Sequence, residues 1–397
     1  MERRNFLTVG VIDPFLIFLR FVSLSFLSLF FVCVDVCMRV LFSFDVKNNN
    51  NNKRVFVKEL SSLPASGTVE GRGCKHNPSD YHFIMELVAE LPGRLLTGLA
   101  LDANDDVFAV CACSGELLRL NKTNGTMIPI MATETSPHAL AIDPRNGDVY
   151  LTDRSENAIL KLEAVPNSKG HVEKDEKCDN DRGEVDYTVV RYLNSFENRQ
   201  FVGPTALAVA PDGELFFTDA GAEGDSSFAD PVGAVFRTLQ GHSQVVPLCR
   251  RGLIRPTGIA VKSDKSVYVC EQGTNRVLRF VLRGTYYIGS VFAQLQGGMG
   301  PSAIAVRKSD GSIFVTQYDM KGSSSSSSPN EGAGGIITVI GRDGEVSGIV
   351  RTTCPSLCAI ALDSQEETIY AVEADEASGG SRLLRFRLSP AAQQATE

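Results

Sequence analysis

One pattern, repeated six times, limits what this chain can become. Each copy opens on a short apolar run, and the runs align. They are Leu96-Thr-Gly-Leu-Ala-Leu-Asp102, Pro137-His-Ala-Leu-Ala-Ile-Asp143, Pro204-Thr-Ala-Leu-Ala-Val-Ala210, Pro256-Thr-Gly-Ile-Ala-Val-Lys262, Pro301-Ser-Ala-Ile-Ala-Val-Arg307 and Leu357-Cys-Ala-Ile-Ala-Leu-Asp363. A polar turn and a second run follow in every copy, as Pro211-Asp-Gly213 precedes Leu215–Thr218. Runs this short, split by Asp-Gly or Asn-Gly, make β-hairpins rather than helices. A third run comes next (Leu117–Leu120 in the first copy, Leu383–Phe386 in the last), and a fourth lies between copies.

Five linking runs serve six triplets, so one unit lacks its outer strand. His82–Glu90, just before the first triplet, has the same apolar character and can pair with the last triplet. The pattern therefore predicts an all-β fold, a six-bladed β-propeller of four-stranded blades over 81–388. Its ring is closed by an N-terminal outer strand pairing with the last blade, and 389–397 is a C-terminal tail. Closure leaves no sticky terminal unit. The 35 glycines among 397 residues suit many tight turns, and a net charge of −8 with no basic stripe speaks against nucleic acid as a partner.

The chain ahead of the repeats divides in two. Residues 1–44 are strongly apolar, and Phe15–Val34 holds a single charge, Arg20. That length just spans a bilayer. An uncleaved signal anchor and a signal peptide with Phe21–Val34 as its core both fit, the anchor better because no small-residue cleavage site follows. A third reading is upstream sequence joined to a soluble protein that starts at a later methionine such as Met38. The first two place the chain on a membrane or in the secretory pathway, and the third in the cytoplasm. Residues 45–80 include Asn48–Asn52 and read as a flexible linker. Two sequons, Asn121-Lys-Thr123 and Asn124-Gly-Thr126, fall on an exposed turn and make Asn121 and Asn124 glycosylation candidates if the chain is secreted.

Candidate function follows from topology. In a propeller the first strand of each blade lines the central channel, and loops after second strands crown the end where first strands begin. The long segments 220–232, 318–335 and 374–381 therefore surround one channel mouth, where ligand sites are favoured. The charged insertion 163–186 follows a third strand and emerges on the other face. At the mouth, the residue before each Gly/Ala-Leu/Ile-Ala core is Thr97, His138, Thr205, Thr257, Ser302 or Cys358, a ring with no carboxylate. His138 is its one candidate general base, and a lone histidine is more often structural. Second strands end at Cys111, Asp153, Asp219, Glu271, Gln317 and Glu373. Four carboxylates at one repeated position suit a fold role, each accepting backbone N–H groups in the following turn, better than a collar for a cationic partner.

The ten cysteines include no Cys-x-x-Cys pair and no zinc spacing. Cys111, Cys113, Cys270 and Cys358 are expected to pack as core or channel residues. Cys74 and Cys178 lie in loops and would pair only in an oxidising compartment.

The repeats resemble the NHL class through Pro256-Thr-Gly-Ile-Ala-Val, Val267-Tyr-Val-Cys-Glu271 and Asn275-Arg-Val-Leu-Arg279. They are equally similar to the senescence-marker-protein and gluconolactonase (TolB-like) propellers through Pro211-Asp-Gly-Glu-Leu-Phe-Phe-Thr-Asp-Ala-Gly221. The second resemblance implies a divalent cation held by acidic and amide residues at first-strand starts. The matching positions here are Thr97, Thr257 and Ser302 for the metal and Thr205 for a substrate-binding asparagine, and none keeps the family's residue. Hard cations want several oxygen ligands, preferably anionic, so the expectation is no metal site and no cofactor. Two functions stay open. One is a monomeric binding platform that engages a protein, peptide or glycan at the crowned face. The other is a hydrolase of lactones or esters with the family's metal ligands lost, the one reading under which a divalent cation could still enter.

Overall fold

In this computed structural model, residues 66–69, 81–165 and 187–390 are described, apart from 223, 225, 240, 242–243, 297–298, 319–334, 353–355 and 376–378. The predicted anchor, Asn48–Asn52, Cys74, Cys178 and most of the 163–186 and 318–335 loops lie outside the described residues. Among the described residues no helix is long and apolar enough to cross a membrane.

The strands form six antiparallel blades. Blade 1 comprises Leu96–Leu101, Val107–Cys111, Glu116–Asn121 and Thr126–Ala132; blade 2 runs from Pro137–Ile142 to Tyr187–Leu193. Blade 3 starts at Pro204–Val209 and ends at Gln244–Leu253, and blade 4 starts at Pro256–Val261 and ends at Tyr286–Gln294. Blade 5 covers Met299–Val306 to Val346–Arg351. Blade 6 holds Ser356–Leu362, Thr368–Asp375 and Gly380–Pro390, and its outer strand is the N-terminal Tyr81–Leu91, as the count of strands requires. First strands pack each on the next and the sixth on the first, closing the ring.

One stretch departs from expectation. Ser66–Val69, inside the segment read as linker, forms a fifth strand on blade 6, with Ser66 opposite Glu86 and Val69 opposite Phe83. An exposed strand edge recruits whatever chain lies nearby, and the sequence just before Tyr81 is tethered close to that edge.

The apolar groups form six clusters, each joining one blade to the next. Phe314, Ile337 and Val339 of blade 5 meet Leu357, Ile369 and Phe386 of blade 6. Leu91 of the closing strand packs with Leu96 and Leu118 of blade 1 and Val372 of blade 6. Second strands such as Leu215–Asp219 and Val267–Glu271 are therefore buried along their whole length, while outer strands such as Thr126–Ala132 are mostly exposed. Near the axis only small residues fit after the ring position. A Cβ on Gly98 would lie 2.7 Å from Ala139 Cα, and one on Gly258 would lie 2.6 Å from Ala303 Cα.

At the end away from the mouth, first-turn residues tie neighbouring blades together. The Ser364 N–H and hydroxyl both donate to Asp105 at 2.7 Å, joining blades 6 and 1. Glu366 accepts the N–H groups of Lys308 at 2.5 Å and Ser309 at 2.9 Å, joining blades 6 and 5. Lys265 pairs with Asp212 between blades 4 and 3. Burial alone would raise the Glu366 pKa, but the hydrogen bonds from Ser309 and Lys308 outweigh it and hold it below the usual range. A carboxylate with a depressed folded pKa adds stability above its unfolded pKa and loses it as pH falls. Glu366→Gln is expected to cost about 1 kcal/mol at neutral pH, discounted for partial exposure. The gap to wild type is expected to shrink as pH falls below the ordinary carboxylate value of about 4.3 and to close once it passes the depressed folded pKa, where both states are protonated. Thermal melts of both proteins across that range check this; a gap that persists in acid would rule out the carboxylate charge as its cause.

Candidate functional site

The six ring residues share a backbone feature that the sequence did not show. In every blade the register between first and second strands slips at the ring position. In blade 1 Leu96 faces Cys111 and Gly98 faces Val110, leaving Thr97 as the extra residue. His138, Thr205 and Cys358 occupy the same place in blades 2, 3 and 6. Thr257 and Ser302 lie within the wider irregularities of blades 4 and 5. A bulge of this kind re-aims a side chain and frees backbone groups that need partners.

Threonines of the second strands supply those partners. Ala139, Ala206 and Ala303, each next to a ring residue, donate their N–H to the hydroxyls of Thr152, Thr218 and Thr316 at 3.0, 3.1 and 2.9 Å. Thr152 and Thr218 in turn donate across to the next blade, to Thr205 O at 3.1 Å and Thr257 O at 2.8 Å. The ring hydroxyls are similarly engaged. Thr205 donates to Gly203 O at 2.8 Å, Thr257 to Pro301 O at 2.9 Å and Ser302 to Leu357 O at 2.6 Å. Two of the four ring alcohols, Thr257 and Ser302, thus stitch blade to blade.

The repeated carboxylates at the second-strand ends are buried, and Asp153, Asp219 and Glu271 hold backbone. Asp219 accepts the N–H of Gly203 at 2.8 Å, Val202 at 3.0 Å and Gly221 at 3.0 Å. Glu271 accepts the Ile254 N–H at 2.8 Å and the Thr274 hydroxyl at 2.7 Å, and pairs with Arg276. Asp153 accepts the Glu156 N–H at 2.8 Å and the Ser155 hydroxyl at 2.7 Å. Glu373 pairs with Arg382 at 2.9 Å. For Asp219 and Glu271 the bonded N–H groups lie mainly in the connection from the previous outer strand, whereas the expectation was the following turn. The acid reaches back because that connection passes directly over the strand end.

The same geometry explains the Asn-Arg part of the repeat. Asn275 has φ of 55°, Asn157 of 51° and Gly115 of 69°, each four residues after a second-strand end. Asparagine and glycine tolerate this left-handed conformation best, and the arginine after Asn275 returns to Glu271.

Three buried oxygens at the start of blades 1 and 2 have no protein partner: Thr97 Oγ1, Thr135 Oγ1 and Asp153 Oδ2. Such atoms are costly in isolation, so they mark where this rim has hydrogen bonding left to give. His138 is half-buried between them in the chain. On the blade 3 side, the 220–232 loop is tied down by Ser226 Oγ to Leu253 O (3.3 Å), Gly252 N–H to Pro231 O (3.1 Å) and an Asp230–Arg251 ion pair. Its tip carries Phe228, 80% exposed. Neither feature was visible in sequence, where Phe228 is one aromatic among 22 phenylalanines.

Cys111 and Cys270 are buried as expected, but Cys113 is exposed, because it falls in the turn beyond the strand. The two sequons lie at the opposite end of the molecule. The Asn121 side chain accepts the Thr123 N–H at 2.9 Å and that of Asn124 the Thr126 N–H at 3.1 Å, and Asn121 borders a recess of about 540 Å³ with Asp106 and Lys122. Among the described residues, no three His, Cys, Asp or Glu side chains group as a metal site. Thr97, Thr205, Thr257 and Ser302 carry neutral hydroxyls, and the last three already donate to carbonyl oxygens.

No family model and no curated protein matches this chain in sequence. Solved structures do match in fold. A gluconolactonase from Xanthomonas campestris superposes with a TM-score of 0.57 at 15% identity, over 82% of this chain and 99% of that one. A calcium-binding regucalcin from Agrobacterium tumefaciens gives 0.56 at 15% identity, over 77% and 94%. A luciferin-regenerating enzyme gives 0.55 at 11% identity, over 78% and 98%. The chain shares their six-bladed propeller fold.

The bonds at Asp219 set an expectation. Asp219→Ala strands three backbone N–H groups and should cost about 3 kcal/mol, while Asp219→Asn, which keeps one acceptor oxygen, should cost about half as much. Denaturant unfolding measures both. Equal stability of Asp219→Ala and wild type would return this carboxylate to the candidates for a partner-facing role.

Proposed function

We propose that this chain is a monomeric binding platform whose mouth face engages a protein, peptide or glycan. The observation that carries the reading is that the polar groups of the mouth are largely committed to the fold. Asp219 and Glu271 are spent on backbone, and the Thr205, Thr257 and Ser302 hydroxyls donate to main-chain carbonyls. These committed groups leave no nucleophile, base and oxyanion site together on the ring itself. What remains free suits recognition: Phe228, 80% exposed on an anchored loop at the rim. An exposed aromatic on a rigid support is a common anchor for a partner. In this reading the protein uses no divalent cation, because neutral hydroxyls do not replace anionic oxygen ligands. Asp153, Asp219, Glu271 and Glu373 are fold residues, and His138 is a rim residue without a catalytic role. An N-terminal anchor or secretory route belongs to the same proposal and would display the rim to extracellular partners.

The competing reading is a lactone or ester hydrolase, supported by the shared fold with a gluconolactonase. It would have to work with residues other than that family's ligands, since one fold hosts many activities.

Two measurements separate them. Purified protein is assayed on a panel of lactones and esters with and without added calcium or zinc, and no turnover above buffer is expected. Peptide and glycan arrays are probed in parallel, and Phe228→Ser is expected to weaken any binding at least tenfold while leaving the melting temperature unchanged. Turnover that is abolished by His138→Ala without loss of stability would overturn the platform reading.

A further inference from the structure

We propose that Cys111 and Cys113 form a redox-active dithiol at the channel mouth, which closes to an internal disulfide by exchange with a small-molecule disulfide. Their sulfur atoms lie 3.0 Å apart. Cys111 is the last residue of its strand, at the position where four other blades carry a carboxylate. It is fully buried in the cluster that joins blades 6 and 1. Cys113 lies in the turn and is exposed.

The backbone, rather than a chance rotamer, holds the two together. Gly115 closes the turn with its N–H on Cys111 O at 2.9 Å and φ of 69°. Its carbonyl accepts the Thr133 N–H at 2.8 Å and the Thr133 hydroxyl at 3.0 Å. A side chain there would meet Thr133 O at 2.3 Å, so the turn has little room to open.

The environment gives the two thiols different work. Burial alone would raise Cys111, but hydrogen bonds from Ser114 and Cys113 outweigh it and hold its pKa below the ordinary thiol value. Cys113 is raised, chiefly because it donates to Cys111.

The exchange then has a defined order. Cys113, the accessible sulfur, loses its proton and attacks one sulfur of the incoming disulfide. That S–S bond breaks, one thiolate leaves and takes up a proton, and a mixed disulfide remains on Cys113. The Cys111 thiolate attacks the Cys113 sulfur and expels the second thiolate. In sum, the two cysteines lose two hydrogens and two electrons, and the small disulfide is reduced to two thiols. Exposed disulfides in short loops are among the more easily reduced, so the step is reversible by thiols. Nothing in it depends on what occupies the mouth.

The test uses the full chain and glutathione disulfide as probe. After incubation, free thiols are alkylated and the protein is digested with trypsin. The peptide Leu95–Arg119 carries both cysteines and no other. The expected product is that peptide lighter by two hydrogens and unalkylated, restored to two alkylation sites by dithiothreitol. A transient glutathione adduct on the same peptide should precede it. Cys111→Ser should trap that adduct on Cys113, and Cys113→Ser should form neither product. If the buried Cys111→Ser variant does not fold, the wild-type time course decides by itself. A wild-type peptide that stays doubly alkylated, or that keeps glutathione on Cys113 without closing, would overturn the proposal.

Discussion

Apolar contact between neighbouring blades holds this molecule together, and nearly everything else answers to it. Each of the six clusters takes side chains from two blades, so no blade has a core of its own. A side chain as large as Phe216 or Phe314 contributes roughly 1.5–3 kcal/mol when fully buried, and both are fully buried only because a second sheet covers them. An open arc would leave two such faces bare. Closure by Tyr81–Leu91 therefore does more than complete a sheet, since it brings Leu91 into the sixth cluster beside Leu96 and Val372.

Bringing six sheets together around an axis has a cost at the narrow end. The first strands converge there, leaving room only for glycine or alanine after the ring position, and the register slips at the ring position of each blade. The slip frees backbone N–H groups in a buried place, where an unpaired donor is expensive. Thr152, Thr218 and Thr316 meet that demand from the second strands, and Asp219 and Glu271 hold the incoming connections from one residue further along. The polar residues of the repeat are thus largely the accounting of buried hydrogen bonds in a radial fold.

That accounting bears on function. A residue type repeated in blade after blade is answering a demand that every blade makes, and it is the departures that carry individual chemistry. Blade 1 has Cys111 where others have an acid, and beside it Cys113. Blade 3 carries Phe228 on a tethered loop. The start of blades 1 and 2 retains oxygens that no protein group satisfies. All of these lie at the end of the channel where the first strands begin.

The number of blades, the order of strands within them and the strand that closes the ring are all legible in the amino-acid sequence. These follow from local signals, namely short apolar runs, Asp-Gly turns such as Asp212-Gly213, and a count that left one outer strand to be supplied from the N-terminus. It also indicated that the carboxylates at Asp153, Asp219, Glu271 and Glu373 belong to the fold, because repetition argues for a shared structural need. Where each polar atom finds its partner emerges once the blades are packed together. The bond from Thr218 to Thr257 O spans two blades, Ser66–Val69 pairs with a strand whose edge is open only in the finished ring, and the closeness of the Cys111 and Cys113 sulfurs depends on how one turn is packed against Thr133. Periodicity along a chain reports which way a side chain faces within its own strand, and it carries no information about the neighbouring sheet that completes the contact.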